Sequence, residues 1–118
     1  MKIGVVGGGA FGWALAHAVR RAGSEVLMWS RRPQREAGPG ISLVALPALA
    51  AAELIFFAVP SPVLPELARE LGQYLDGGHY LVHVSRGIVG DGLMTLSQVL
   101  RSVTPCRRVG ALAGPLVA

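Results

Sequence analysis

The chain has 118 residues, is 52% hydrophobic and carries a formal net charge of +4. That length suits one domain with a real core, and no apolar run reaches the roughly 18 to 20 residues needed to cross a bilayer. The opening has one lysine and a short apolar run, without the long apolar core and small-residue cleavage site of a signal peptide.

A lone cysteine, Cys106, has no internal disulfide partner, so a reducing, cytoplasmic setting is expected. Ten of the eleven basic residues are arginine, and most fall in separated pairs: Arg20–Arg21, Arg31–Arg32 and Arg107–Arg108. A nucleic-acid binder clusters its charge on one face. Neither nucleic acid nor a membrane is therefore an expected partner.

Residues 2–6, "KIGVV", suit a buried parallel strand. Residues 10–22 turn helical: Leu15, Val19 and Ala22 mark one face. Ala14 and Ala18 form a second face of small residues that could lie close to a sheet, and Gly23 is a suitable stop. "EVLMW", 25–29, reads as a second strand, 30–40 as a loop and "ISLV", 41–44, as a short third strand. "LPALAAAE" has the makings of one or two helical turns. "LIFFAV", 54–59, is an apolar strand stopped by Pro60. Ser61 is placed to cap a helix over about 62–75. Leu64, Leu67, Ala68, Leu71 and Leu75 share one face of it, and Glu66, Arg69, Glu70 and Gln73 the other.

"DGG", 76–78, predicts a turn and "YLVHV", 80–84, a strand. Leu93, Leu96, Leu100 and Val103 mark another amphipathic helix, and "RVGALA", 108–113, a last strand. Strand and helix patterns alternate throughout. The expected fold is therefore α/β: a Rossmann-type, doubly wound, mostly parallel sheet with helices on both faces, in one dinucleotide-binding domain over 1–118.

Gly7, Gly9 and Gly12 form Gly-x-Gly-x-x-Gly between the first predicted strand and helix, where the dinucleotide fingerprint belongs. The first glycine permits the tight turn, the second lets backbone approach a pyrophosphate, and the third allows close helix–strand packing. The helix N-terminus adds free N–H groups. NAD-binding versions carry an acidic residue after the second strand for the adenosine ribose. Here "WSRR" stands there, with no Asp or Glu before Glu36. Ser30, Arg31 and Arg32 instead suit a 2′-phosphate, which makes NADP the first choice and NAD the second. "AVPS" ends the strand before the second long helix, so Pro60 should form a wall near the nicotinamide side. "VSRGI" ends the next strand, which directs Arg86 into the same crevice.

His79 and His83 lack a Cys or carboxylate cluster, so no metal site is expected. His17 reads as packed or solvated, and Cys106 has no recognisable partner for nucleophilic chemistry. Trp29 is expected at the sheet edge of the adenine pocket and Trp13 on the helix surface.

In series, "GVVGGGAFGWALA", "VLMWSRR", "LIFFAVPS", "VSRGI" and "AGPLVA" resemble the N-terminal domain of NAD(P)-dependent glycerol-3-phosphate dehydrogenase, over nearly the whole chain. The resemblance implies hydride transfer between NAD(P)H and dihydroxyacetone phosphate. It places cofactor contacts at Ala10, Phe11, Arg31 and Ala118, and substrate-side positions at Arg86, Gly114 and Leu116.

Arg86–Gly87 stands where the family has Lys-Gly, and Leu116 where it has a hydroxyl residue. The loop between the second strand and "LIFFAV" is shorter than the family's. The family's C-terminal helical substrate domain is missing from these residues, and the only lysine is Lys2. No catalytic residue is expected within this chain, which is expected to be inactive alone. A small phosphorylated substrate would bind only if a second domain were supplied. A non-catalytic NADP-binding module or sensor is an alternative. Another is a different NADP-linked reductase, such as a pyrroline-5-carboxylate or ketopantoate reductase. Without the helical partner the domain should expose apolar surface where that partner would pack, which predicts a homo-oligomer.

Overall fold

The computed structural model describes residues 1–7, 9–31, 40–84, 88–89 and 94–112. Six strands form one parallel sheet: β1 (Lys2–Val6), β2 (Glu25–Trp29), β3 (Ile41–Leu43), β4 (Leu54–Phe57), β5 (Tyr80–His83) and β8 (Arg108–Ala111). Their order is β3-β2-β1-β4-β5-β8, so the chain reverses direction across the sheet between β1 and β4. This is the doubly wound arrangement the alternation predicts. Two further short strands, β6 (Ile88–Val89) and β7 (Met94–Thr95), pair antiparallel with each other outside that sheet. The sequence pattern gives no hint of them, because two residues are too few to carry a period.

Helix α1 (Ala10–Arg21) covers one face. The 3₁₀ segment Leu46–Ala51 and helices α2 (Leu64–Gly72) and α3 (Leu96–Val103) cover the other. Every residue of β1 after Lys2 is buried, as a central strand clad on both faces requires. Alternate residues of β2 divide between two cores: Val26 and Met28 lie under α1 with Val5, Ala16 and Ile41. Leu27 and Trp29 pack on the larger core opposite, whose centre holds Val6, Ile55, Phe57, Leu71, Leu81 and Leu100.

Four details differ from expectation. On α1, Ala14 and Ala18 are exposed; Gly12 and Ala16, one turn apart, are the buried small residues. The close approach of helix to sheet is set by Gly12, so the helix is rotated from the anticipated face. Ser61 does not cap α2. The cap position is Val63, with no side-chain hydrogen bond, and residues 61–63 form a tight turn. In that turn the Val63 N–H donates to the Pro60 carbonyl at 3.0 Å. β4 ends at Phe57, two residues early, because Ala58 and Val59 bend away towards that turn. Trp13 is half-buried against the smaller core rather than lying on the helix surface.

The end of α1 is the stop that Gly23 promises. Gly23 has φ +102°. The Gly23 N–H donates to the Arg20 carbonyl and the Ser24 N–H to the Val19 carbonyl, at 2.9 and 3.3 Å. This is the paired bonding of a Schellman terminus. The start of α3 is closed by a side-chain cap. The Thr95 hydroxyl accepts from the Gln98 N–H, and the Gln98 side chain accepts from the Thr95 N–H. The Thr-x-x-Gln spacing at 95–98 is the signal for it. Leu93 lies outside the described residues.

Cys106 is buried and its thiol donates to the Asp76 carbonyl at 3.3 Å. Burial pushes the thiol pKa up, and the nearby Asp76 charge adds to the rise, against the lowering effects of Thr104 and Arg108. The reactive species is the thiolate. A thiol-specific disulfide reagent at neutral pH should therefore label Cys106 slowly in the folded chain and rapidly in denaturant; fast labelling without denaturant would contradict this burial.

Candidate functional site

Gly7 follows β1 and Ala58 follows β4, so both lie at the carboxyl edge of the two strands where the chain reverses. The Gly7 N–H donates to the Trp29 carbonyl and the Ala58 N–H to the Val6 carbonyl, each at 2.8 Å. Gly7 has φ +117°, and a Cβ there would stand 2.3 Å from the Ala58 carbonyl oxygen. A Cβ on Gly12 would stand 2.3 Å from the Gly7 carbonyl oxygen. These two glycines lock turn, helix and strand together. Among the described residues, a Cβ on Gly9 would meet nothing within 4 Å. The middle glycine leaves room above the turn.

That room faces the start of α1. Gly9 is the cap residue and supplies no side-chain bond, and the first turn holds no acidic residue. The first N–H groups of a helix have no intrahelical acceptor and carry partial positive charge. Uncapped N–H groups beside open space can take an anion.

The room opens into a cleft of about 530 Å³, a size usual for small-molecule sites. Gly7 and Gly9 form its floor; Trp29, Ser30 and Arg31 leave β2 along one side. Ala58, Val59 and Pro60 form the opposite side, continued by Val63 and Leu67. No carboxylate is among these lining residues. Arg31 is exposed and makes no ion pair among the described residues. The cleft thus has an apolar body, a rim of peptide N–H groups and one guanidinium, which fits a flat heteroaromatic group joined to phosphates.

Of the anticipated residues, Gly7, Gly9, Ser30, Arg31 and Pro60 come together here. Ala10 begins α1, Phe11 is half-buried beside it, and Gly12 is buried behind the turn. Arg32, Arg86, Gly114, Leu116 and Ala118 lie outside the described residues. Trp29 is half-buried and forms a cleft wall. Val59 and Val63 are not among the anticipated cleft residues, and Leu67 is anticipated only on the apolar face of its helix. Val63 and Leu67 stand four apart, one turn of a helix, which was the available signal.

A second cavity of about 350 Å³ lies at the amino edge of the sheet, lined by Met1, Glu53, Tyr80 and Arg108 among others. His17 is half-buried, with its ring 5.9 Å from Trp13. His79 holds the turn before β5 to the 3₁₀ segment, its Nε2 2.8 Å from the Ala50 carbonyl oxygen. Among the described residues no three His, Cys, Asp or Glu side chains cluster as a metal site would need. No described helix is long and apolar enough to cross a membrane.

A model of the NAD-dependent glycerol-3-phosphate dehydrogenase N-terminus matches residues 2–38 and 44–118. A glycerol-3-phosphate dehydrogenase [NAD(P)+] of Azorhizobium caulinodans is 36% identical over 97% of this chain. The match spans about 40% of that relative's length. The structure of a Saccharomyces cerevisiae glycerol-3-phosphate dehydrogenase superposes with a TM-score of 0.78 and 20% identity, covering 97% of this chain and 42% of that one. A ketopantoate reductase from Ralstonia eutropha superposes almost equally, at 0.76 and 23% identity, over 94% of this chain and 40% of that one. The fold is therefore shared between reductases of different substrates.

The two locked glycines and the open one should behave differently. Gly12→Ala forces helix from strand and should cost about 1–3 kcal/mol in urea denaturation. Gly9→Ala should lose only part of a helix cap, under about 1 kcal/mol. Equal losses would contradict the division of roles.

Proposed function

The chain belongs to the NAD-dependent glycerol-3-phosphate dehydrogenase N-terminal family, and on that premise we propose that its cleft binds NADPH in preference to NADH, for reduction of a small phosphorylated ketone. The observation that carries the reading is the open space at Gly9, beside the uncapped start of α1 and across from Ser30 and Arg31. Backbone at Gly7 and Gly9 and the N–H groups of Ala10, Phe11 and Gly12 would receive the pyrophosphate. Ser30 and Arg31, with Arg32, would hold the 2′-phosphate through charge-assisted bonds. Trp29, Val63 and Leu67 would flank the adenine. Pro60 would bound the way to the nicotinamide, with Arg86, Gly114, Leu116 and Ala118 on that side by family resemblance.

When bound, the cofactor would supply the hydride. The ketone also needs a proton donor beside its carbonyl. Lys2 opens β1 at the end opposite Gly7, so it cannot fill that role. We assign the donor and most of the substrate pocket to a second domain outside these 118 residues. Assembly of this domain with further copies belongs to the same reading, supported by exposed Tyr74, Tyr80 and Leu112. A non-catalytic dinucleotide-binding module is the second reading. It is favoured by Arg86 in place of lysine, which does not give up its proton, and by Leu116 in place of a hydroxyl.

Calorimetric titration tests the cofactor claim. NADPH should bind more tightly than NADH, and Arg31→Ala should narrow that gap about tenfold, the scale of one charge-assisted hydrogen bond. Equal affinities in the unaltered chain would remove the phosphate role from "SRR".

A further inference from the structure

A parallel sheet is normally clad on both faces. Among the described residues, no helix packs across one half of one face here. Helix α1 packs on β1, β2 and β3. The 3₁₀ segment, α2 and α3 lie on the opposite side of the sheet, with the core to which Ile55, Phe57, Leu81 and Val109 belong. Side chains alternate along a strand, so Leu54, Phe56, Tyr80 and Val82 point to the side of α1, beside that helix rather than beneath it. Neither hydrophobic core includes them. Leu54, Phe56 and Val82 are half-buried, and Tyr80 is 41% exposed.

These strands are in register: Leu54 stands beside Tyr80, and Tyr80 beside Arg108. The Tyr80 ring lies against Gly110, where a Cβ would stand 3.3 Å from its hydroxyl oxygen. The missing side chain at Gly110 makes room for the ring. Glu53, just before β4, and Arg108, the first residue of β8, border the cavity at the amino edge, with Tyr80 on the strand between them. Both are exposed, and neither makes an ion pair among the described residues. The Arg108 guanidinium donates one hydrogen bond to the Gly78 carbonyl.

An apolar band with a carboxylate on one side and a guanidinium on the other is complementary to itself. A two-fold axis running along β5, above Tyr80 and Val82, lays β8 of one copy over β4 of the other. Each Arg108 then faces Glu53 of the second copy, and the two Tyr80 rings meet at the axis. The strands of the two copies stay aligned, which is one of the ways in which sheets pack, about 10 Å apart. Because β8 is the last strand of the described sheet, each copy ends before it reaches α1 of the other.

We propose that this half-face joins two copies of the chain as a symmetric dimer, closed by two Glu53–Arg108 pairs. The assignment rests on the assembly reading above and not on the cofactor. The self-complementary charges are what select a second copy as the occupant.

Sedimentation equilibrium of the whole chain reads the association directly. The unaltered chain should be a dimer. Glu53→Arg and Arg108→Glu should each weaken it about tenfold, because each sets like charges face to face at both pairs. The two exchanges in one chain should restore most of the loss. The bond to the Gly78 carbonyl is missing from both chains that carry Arg108→Glu, so the recovery cannot come from it. Tyr80→Glu brings two carboxylates together at the axis and should give a monomer. Tyr74→Ser, at an exposed tyrosine following α2, should change nothing.

Should Tyr80→Glu fail to fold, the exchange at the exposed Glu53 and Arg108 carries the test. A monomeric unaltered chain would defeat the assembly reading and this dimer together, leaving the half-face to another occupant such as a second domain. A dimer that the charge reversals do not weaken, or that the double exchange does not restore, would leave assembly standing and overturn this face as its site.

Discussion

Among the described residues the tightest steric constraint is that of Gly12 against the Gly7 carbonyl, and of Gly7 against the Ala58 carbonyl. A side chain at either glycine would stand 2.3 Å from a backbone oxygen. Backbone cannot retreat as a flexible side chain can, so three segments are pinned at one point: the end of β1, the start of α1 and the exit of β4. The cleft exists because those segments meet there while a side chain at Gly9, between them, would meet none of the described residues. Steric exclusion at two glycines and vacancy at the third set both the floor and the opening of the site.

From that point the sheet divides the work. On the β2 side, Trp29, Ser30 and Arg31 provide an apolar wall followed by hydrogen-bonding and cationic groups. On the β4 side, the bend at 58–60 and the first residues of α2 provide a second apolar wall. Farther along, β5 and β8 extend the carboxyl edge, and His83 joins their ends to α3. An α/β sheet places loops at this edge whatever its sequence. What is particular to this chain is where it puts charge, glycine and a buried imidazole.

Much of this was legible in the residues. Strand and helix alternation gave the parallel sheet, because buried strands such as "KIGVV" and "LIFF" leave short apolar runs. The apolar face of α2 at Leu64, Leu67, Ala68 and Leu71 was read correctly, since a one-sided helix repeats its pattern. The face of α1 was misread. Glycine and alanine carry almost no hydropathy contrast, so Gly12–Ala16 and Ala14–Ala18 look alike until the Gly7 contact selects one pair. The missing Ser61 cap has a similar cause, because a turn closed by backbone bonds can replace a side-chain cap. The His83–Ser97 bond was beyond reach because its partners are joined only by the folding of β5 against α3.

The central claim is that a dinucleotide lies across the β1–α1 turn and the β4 exit. Its most direct test is backbone amide NMR of the labelled chain during titration with NADPH. Perturbed signals should centre on Gly7, Gly9 and Phe11, on Trp29–Arg31, and on Ala58, Val59 and Val63. Perturbations confined instead to Glu53, Tyr80 and Arg108, at the opposite edge of the sheet, would contradict it.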